Sequence, residues 1–375
     1  MLSSAVRWRA LFLPGILAGA VAFGASILLD RFLGLLHLPS AFANPPLFRE
    51  VRDNLEFKVR FETNSQGLRY REIPLAKPAG RRRTLVLGDS FVEGVGVEGE
   101  QTFSSLLERD ASRSGKPAEY INGGLSGAGP KQYRDLFLEV GLRYQPDAVL
   151  LCVYANDLVD TVPRSFIGDA GRTVARLLWP NAYNLLCRGL ASRAVAGQSR
   201  AFKRIEAAAY RSGVPKALVA AAMAGRFNAS ILAHGLFQPD YWGQSLDLTG
   251  PQAERRWAAM SGYLGEVLAE CRRRGIAVRV VFIPAQFQYS PESHLPSNPW
   301  IAAGARVERR WLSGDCELVK RLRAWSTSQE TAFLDLTPPL RRAASSGVRI
   351  DYPLDGHWAA AGHAAVAAAL TAWLQ

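Results

Sequence analysis

Cysteine is scarce in this chain, with four among 375 residues: Cys152, Cys187, Cys271 and Cys316. They are too few and too scattered for a disulfide framework. No Cys-x-x-Cys pair or Cys/His cluster offers a structural zinc site. Acidic residues are in deficit. Asp plus Glu is 33 against 45 Lys plus Arg, a formal net charge of +12. That balance suits nucleic acid, anionic lipid or an acidic polymer, and does not choose among them. Nucleotide-binding motifs are missing too. Gly94, Gly96 and Gly99 do not have Gly-x-Gly-x-x-Gly spacing and no Lys-Ser/Thr follows, which argues against a dinucleotide fold or a P-loop. Apolar residues at 48% and charged residues at 21% exclude a disordered or collagen-like chain. The length fits one large domain or two smaller ones.

One long uncharged run is present, from Ala10 to Leu29, preceded by Arg7 and Arg9 and followed by Asp30 and Arg31. Twenty helical residues span about 30 Å, close to a bilayer core. The expectation is an uncleaved signal anchor that holds Arg7 and Arg9 in the cytoplasm and exports the rest. A cleaved signal peptide, with Ala41-Phe42-Ala43 as the small-residue site, and a buried soluble helix are the alternatives. Residues 31–80, interrupted by Pro39, Pro45, Pro46, Pro74 and Pro78, read as a neck.

From residue 81 the pattern alternates strand and helix. Apolar runs at 83–87, 120–122, 148–154, 277–284 and 331–336 read as buried strands, and 102–109, 131–141 and 359–374 as helices. Alternation of this kind predicts an α/β fold, a parallel sheet covered on both faces. A basic, Ala-rich helical insertion of about 165–260 interrupts it. Between 171 and 235 ten basic residues face one acid, Glu206. A solvated helical face is the plain reading; contact with an anionic polymer or lipid headgroups is the other.

In an open parallel sheet, ligands bind beyond the carboxyl ends of the strands. Four polar blocks fall there: Gly88-Asp89-Ser90, Asn122-Gly123-Gly124-Leu125-Ser126-Gly127, Asn156-Asp157 and Asp355-Gly356-His357-Trp358. A serine, a glycine-rich turn, an asparagine and a histidine with a nearby aspartate are the parts of acyl-transfer chemistry. No Gly-x-Ser-x-Gly elbow surrounds Ser90, which disfavours the α/β-hydrolase fold.

Together the four blocks resemble those of the SGNH (GDSL-like) hydrolases, in the same order and over roughly residues 60–375 apart from the insertion. The segment Thr63-Asn64-Ser65-Gln66-Gly67-Leu68-Arg69 is similar to one in membrane-anchored members. The resemblance implies a flavodoxin-like three-layer α/β/α sheet and a serine esterase without metal or cofactor. It implies Ser90 as nucleophile, His357 as general base and Asp355 as its orienting acid. It implies an oxyanion hole from the backbone of Ser90 and Gly127 with the Asn156 amide. Gly124 is the rival to Gly127, and Asp351 to Asp355. Many members space the last pair Asp-x-x-His; the Asp-x-His-Trp form here is similar to polysaccharide O-acetyltransferases of the superfamily.

Asp89 and Asp157 are expected to support neighbouring loops, and Phe91, Tyr154 and Trp358 to pack around the site. His37, His234 and His294 lie away from the blocks, and His363 reads as a packing residue. Cys152 reads as a buried free thiol, while Cys271 and Cys316 are a possible pair. The function expected is an exported, membrane-anchored esterase that removes O-acyl groups, O-acetyl foremost, from a cell-envelope glycan or lipid. An O-acyltransferase of an exported polysaccharide and a non-catalytic glycan-binding protein are the alternatives. Export and the lack of any nucleic-acid-binding motif set nucleic acid aside as a partner.

Overall fold

A computed structural model describes residues 4–36, 40–161, 171, 174–291 and 298–374. The chain forms two compact units, one of Met1–Ala41 with Arg164–Gly197 and one of Phe42–Pro163 with Gln198–Gln375. In the first, the N-terminal helix runs from Ser4 to Gly34, so Asp30 and Arg31 lie inside it and do not end it. Its stretch Gly15–Gly34 is long and apolar enough to cross a membrane.

The second unit opens with an antiparallel hairpin, β1 (Arg49–Asp53) and β2 (Lys58–Glu62), with Asp53 opposite Lys58. Five parallel strands follow: β3 (Arg82–Gly88), β4 (Ala118–Gly124), β5 (Ala148–Tyr154), β6 (Ala277–Ile283) and β7 (Ala332–Asp335), in the spatial order β4-β3-β5-β6-β7. Every strand expected from an apolar run overlaps one of these. Side chains alternate across the sheet. Leu85, Leu87, Val149 and Leu151 pack on one face with the helices Pro130–Glu139 and Ala253–Arg274. Val86, Leu150, Cys152 and Val281 pack on the other with Phe103–Arg113 and Ala360–Leu374. Burial on both faces is why these strands read as continuous apolar runs rather than alternating ones.

Two boundaries differ from those expected. Of the segment expected as a neck, residues 42–80 belong to the same unit as the sheet. Its prolines flank the hairpin instead of preventing it, and Val59 and Phe61 of β2 are buried. The insertion is shorter than about 165–260, because Ala253–Arg274 is the crossover helix that covers the sheet before β6. Within the second unit the inserted segment has a small core of its own, including Val219, Phe227, Ile231 and Leu232. Lys203, Arg204, Arg211, Lys216 and Arg226 are exposed around it, as both a solvated face and a surface for an anionic partner require. Cys271 and Cys316 are buried and free, so they are not a pair; Cys152 is buried and free as well.

Candidate active site

The end of β3 delivers Ser90. Asp89 caps the helix Ser90–Glu93, its carboxylate accepting from the Phe91 N–H at 3.0 Å. The helix lasts one turn because Gly94 leaves it in the left-handed region, φ +87°. Arg69, from the Asn64–Arg69 segment, holds this exit: its guanidinium donates to the carbonyls of Glu93 at 3.1 Å and Gly94 at 2.5 Å. Burial lowers the Arg69 pKa to about 10.

His357 arrives from the other end of the chain. Its Nε2 lies 2.7 Å from Ser90 Oγ and its Nδ1 lies 2.5 Å from Asp355 Oδ1. With the proton on Nδ1, that nitrogen donates to Asp355 and Nε2 accepts from the serine hydroxyl. The Asp-Gly-His spacing works because Gly356 takes φ +85°, turning Asp355 back onto the ring two residues later. Asp351 is elsewhere: its Oδ2 accepts from Ser290 Oγ at 3.2 Å. His363 is buried; its Nδ1 accepts from the Phe103 N–H at 3.2 Å, and burial lowers its pKa to about 3. His37 and His294 lie outside the described residues.

Burial works against the charged form of His357. The Asp355 carboxylate beside Nδ1, helped by Asp89 and Glu93, outweighs it and holds the imidazole above its ordinary pKa. Beneath the site Asp89 and Asp157 are both buried and both raised, Asp157 well above the carboxylate range. Removal from water is the main cause. Asp157 nonetheless has partners: it accepts from the Tyr133 hydroxyl at 2.9 Å and from the Tyr154 N–H at 3.0 Å.

Gly127 and Asn156 line the same cleft as Ser90 and His357, which has a volume of about 830 Å³. Gly127 sits at φ +71°, and nothing lies where its Cβ would be. Gly124 is different. A Cβ there would come within 1.9 Å of the Glu93 nitrogen, so this glycine lets β4 press against the helix Ser90–Glu93 and does not face the cleft. Phe91 packs on His357, Tyr154 and Trp358, with ring centroids 4.8, 4.5 and 4.8 Å away.

Several side chains at the site carried no motif. Glu93 is fully buried; its carboxylate accepts from Arg52 Nη1 at 2.7 Å, Ser126 Oγ at 2.5 Å and Asn44 Nδ2 at 3.2 Å. It thereby ties the hairpin, the helix Ser90–Glu93 and the Gly127 turn together. Asn54 Nδ2 donates to Asp355 Oδ2 at 3.0 Å. Glu56 accepts from the N–H groups of Leu354 and Asp355 at 2.9 and 2.7 Å. The inserted segment contributes a wall. Tyr241 stacks on His234 at 4.3 Å and on Trp300 at 5.4 Å, and its hydroxyl donates to Asp160 at 3.2 Å. Burial raises the Asp160 pKa to about 6. His234, set aside from its place in the sequence, therefore lines the cleft.

The sequence model of the GDSL-like lipase/acylhydrolase family matches residues 86–365, which include Ser90, Gly127, Asn156, Asp355 and His357. The chain belongs to this family. As a GDSL-like lipase/acylhydrolase with the SGNH fold, it is an ester-hydrolysing enzyme. No curated protein matches it significantly. Similar solved structures include TesA, at 14% identity over 78% of this chain and 98% of that one, TM-score 0.40. An acetyl xylan esterase, AlAXEase, has 11% identity over 78% and 100%, TM-score 0.41. The lipase/acylhydrolase from Enterococcus faecalis has 13% over 78% and 95%, TM-score 0.39.

Proposed function

We propose that Ser90 is the nucleophile of a two-step acyl transfer. The observation that carries this is the hydrogen-bonded chain Ser90–His357–Asp355, 2.7 and 2.5 Å long, at the floor of an open cleft. A serine hydroxyl is a weak nucleophile until a base takes its proton. His357 takes it through Nε2 while Asp355 holds Nδ1–H and stabilises the imidazolium. Ser90 Oγ bonds to the ester carbonyl carbon. The oxyanion that forms is met by the N–H groups of Ser90 and Gly127 and the Asn156 amide, donors worth about 3–4 kcal/mol each in comparable sites. The tetrahedral centre then collapses, and His357 returns the proton to the leaving alcohol. Water, activated by the same His357, adds to the acyl-enzyme and releases the acid. Asp89 and Asp157 support the loops beneath.

The biological reading is an exported esterase, anchored by the N-terminal helix, acting on O-acyl and foremost O-acetyl groups of a cell-envelope glycan or lipid. Support comes from the apolar stretch Gly15–Gly34 and the flanking Arg7 and Arg9. The test begins with a fluorophosphonate probe on the full chain. An adduct on Ser90, lost in His357→Ala, is the expected result; a folded protein without it sinks the mechanism. Acetate release from an acetylated glycan or lipid follows. The Asp355-Gly356-His357-Trp358 spelling favours one second reading, an O-acyltransferase: an added glycan acceptor that takes the acyl group faster than water does would establish it.

A further inference from the structure

We propose that residues 174–186, where the inserted segment begins, rest in the membrane beside the N-terminal helix and touch lipid directly. The proposal depends on the reading of Gly15–Gly34 as a membrane anchor. Its starting point is a buried charge. Asp30 is 1% exposed, although it follows an uncharged apolar stretch. Its Oδ1 accepts from the Ala182 N–H at 2.7 Å, and its Oδ2 from the Asn181 side chain at 3.1 Å and the Asn181 N–H at 3.4 Å. Asn181 Nδ2 also donates to the Asp30 carbonyl at 2.9 Å. Asp30 thus serves the first N–H groups of the helix Pro180–Arg211, which have no partner within that helix and favour an anion.

Further contacts extend this junction. Trp179 Nε1–H donates to Ser26 Oγ at 3.0 Å, and the indole meets Phe23 edge-on at 5.5 Å. Arg31 donates to the Leu177 carbonyl at 3.4 Å. The polar groups of Ser26, Asp30, Trp179 and Asn181 therefore meet between the two segments, while the Arg31 side chain, 51% exposed, lies at the edge of the junction and the apolar side chains face out. Leu28, Leu29, Phe32 and Leu36 are exposed, and so are Val174, Leu177, Leu185 and Leu186, Leu177 at 72%. Water selects the opposite pattern. Hydrocarbon selects this one, because every polar group there must be satisfied inside the protein while apolar surface is free to face outward. A tryptophan bonded through its N–H beside the end of an apolar span also matches the preference of that side chain for the membrane boundary. The exposed leucines of 174–186 continue the surface of a helix apolar enough to span, so the occupant argued here is lipid and not a second copy of the chain.

The test uses the full chain with Cys187→Ser, which leaves three buried cysteines. Single nitroxide labels go on Leu17→Cys, Leu177→Cys, Leu186→Cys or, as an aqueous reference on the sheet unit, Val348→Cys. Fluorophosphonate labelling of Ser90 verifies that each variant is folded. In vesicles of phosphatidylethanolamine and phosphatidylglycerol, collisions with oxygen and with a water-soluble nickel chelate are compared. Labels at 177 and 186 are expected to favour oxygen several-fold, as at 17, and the label at 348 to favour nickel. Nickel preference at 177 and 186 with oxygen preference at 17 overturns the proposal and spares the anchor. Nickel preference at 17 as well removes the anchor and the proposal together. Shielding from both reagents with spin–spin broadening between chains shows that a second copy covers the patch, and also overturns it.

Discussion

Asn54 donates to one carboxylate oxygen of Asp355 while the other faces His357, the two contacts being 3.0 and 2.5 Å long. Asp355 is thus held by a hairpin residue 301 positions upstream. A hydrogen bond to a charged group is worth about 1.5–3 kcal/mol, which corresponds to roughly tenfold or more in rate if the geometry of Asp355 depends on it. Asn54→Ala should therefore lower kcat about tenfold with little change in KM. It should also alter the pH profile, since Asp355 governs the proton affinity of His357. Steady-state kinetics across pH test this. Loss of thermal stability alone, with kcat and the profile unchanged, would reduce Asn54 to a fold-holding role.

If His357 acts as proposed, it sets the pH dependence. In the proposed role of general base it must be neutral in the free enzyme, so kcat/KM should fall as pH drops through its pKa. Burial disfavours its charge, but Asp355, with Asp89 and Glu93, prevails and raises it above its ordinary value. The acid limb should then lie above pH 6.5. Asp355→Asn removes the leading raising cause. The limb should move to lower pH, and kcat should drop on the order of 10⁴-fold, as for the orienting acid of other Ser-His-Asp enzymes. A limb that stays in place in Asp355→Asn would assign it to another group.

Glu93 is a buried carboxylate with three side-chain donors, Arg52, Ser126 and Asn44. Glu93→Gln keeps the shape but removes the charge opposite Arg52 and turns a donor toward donors. The expected cost is about 3 kcal/mol, since breaking one side of a buried pair leaves the other uncompensated. Thermal unfolding measures it. Combining Arg52→Met with Glu93→Gln should recover part of the loss, because residues in one network are not additive. Strictly additive losses would show that the pair is not coupled.

The parts of the site that were legible in the sequence are those where chemistry dictates residue type. A serine after one strand, a glycine turn after the next, Asn-Asp after a third and Asp-Gly-His near the C-terminus can be read one block at a time, and the sheet order brings them to one edge. What was not legible rests on pairs distant in sequence. Glu93 looks like any solvated glutamate until Arg52, 41 residues earlier, is seen against it. Asn54 and Glu56 sit in the turn between β1 and β2, and nothing local shows that they hold the Leu354–Asp355 loop. The alternation of Lys58–Glu62, with Val59 and Phe61 turned inward, was the one available sign that the supposed neck contains a strand. The limit of the insertion was obscured because Ala253–Arg274 carries the basic, Ala-bearing composition of the segment before it while packing on the sheet.

Two glycines of the Asn122–Gly127 turn should respond differently to the same methyl group. At Gly127 the space for a Cβ is empty and only the φ of +71° is unfavourable. Gly127→Ala should therefore cost about 1–2 kcal/mol of stability, the strain of a left-handed alanine, and leave a folded enzyme. Its activity reports whether the Gly127 N–H serves the oxyanion as proposed. At Gly124 backbone φ is ordinary but the Cβ would lie 1.9 Å from the Glu93 nitrogen and 2.5 Å from its Cα. Backbone cannot move aside as a flexible side chain can, so Gly124→Ala must push β4 and the helix Ser90–Glu93 apart. That displaces Ser90 from His357, and misplacement by about 1 Å can cost on the order of 10²-fold in rate. Fluorophosphonate labelling of both variants, beside their thermal midpoints, separates the two cases. Gly124→Ala should lose labelling at Ser90 even in its folded fraction, and Gly127→Ala should retain most of it, because attack by Ser90 on a reactive probe depends first on His357. Equal losses in the two would mean that the turn moves as one body and that the clash at Gly124 is not what fixes Ser90.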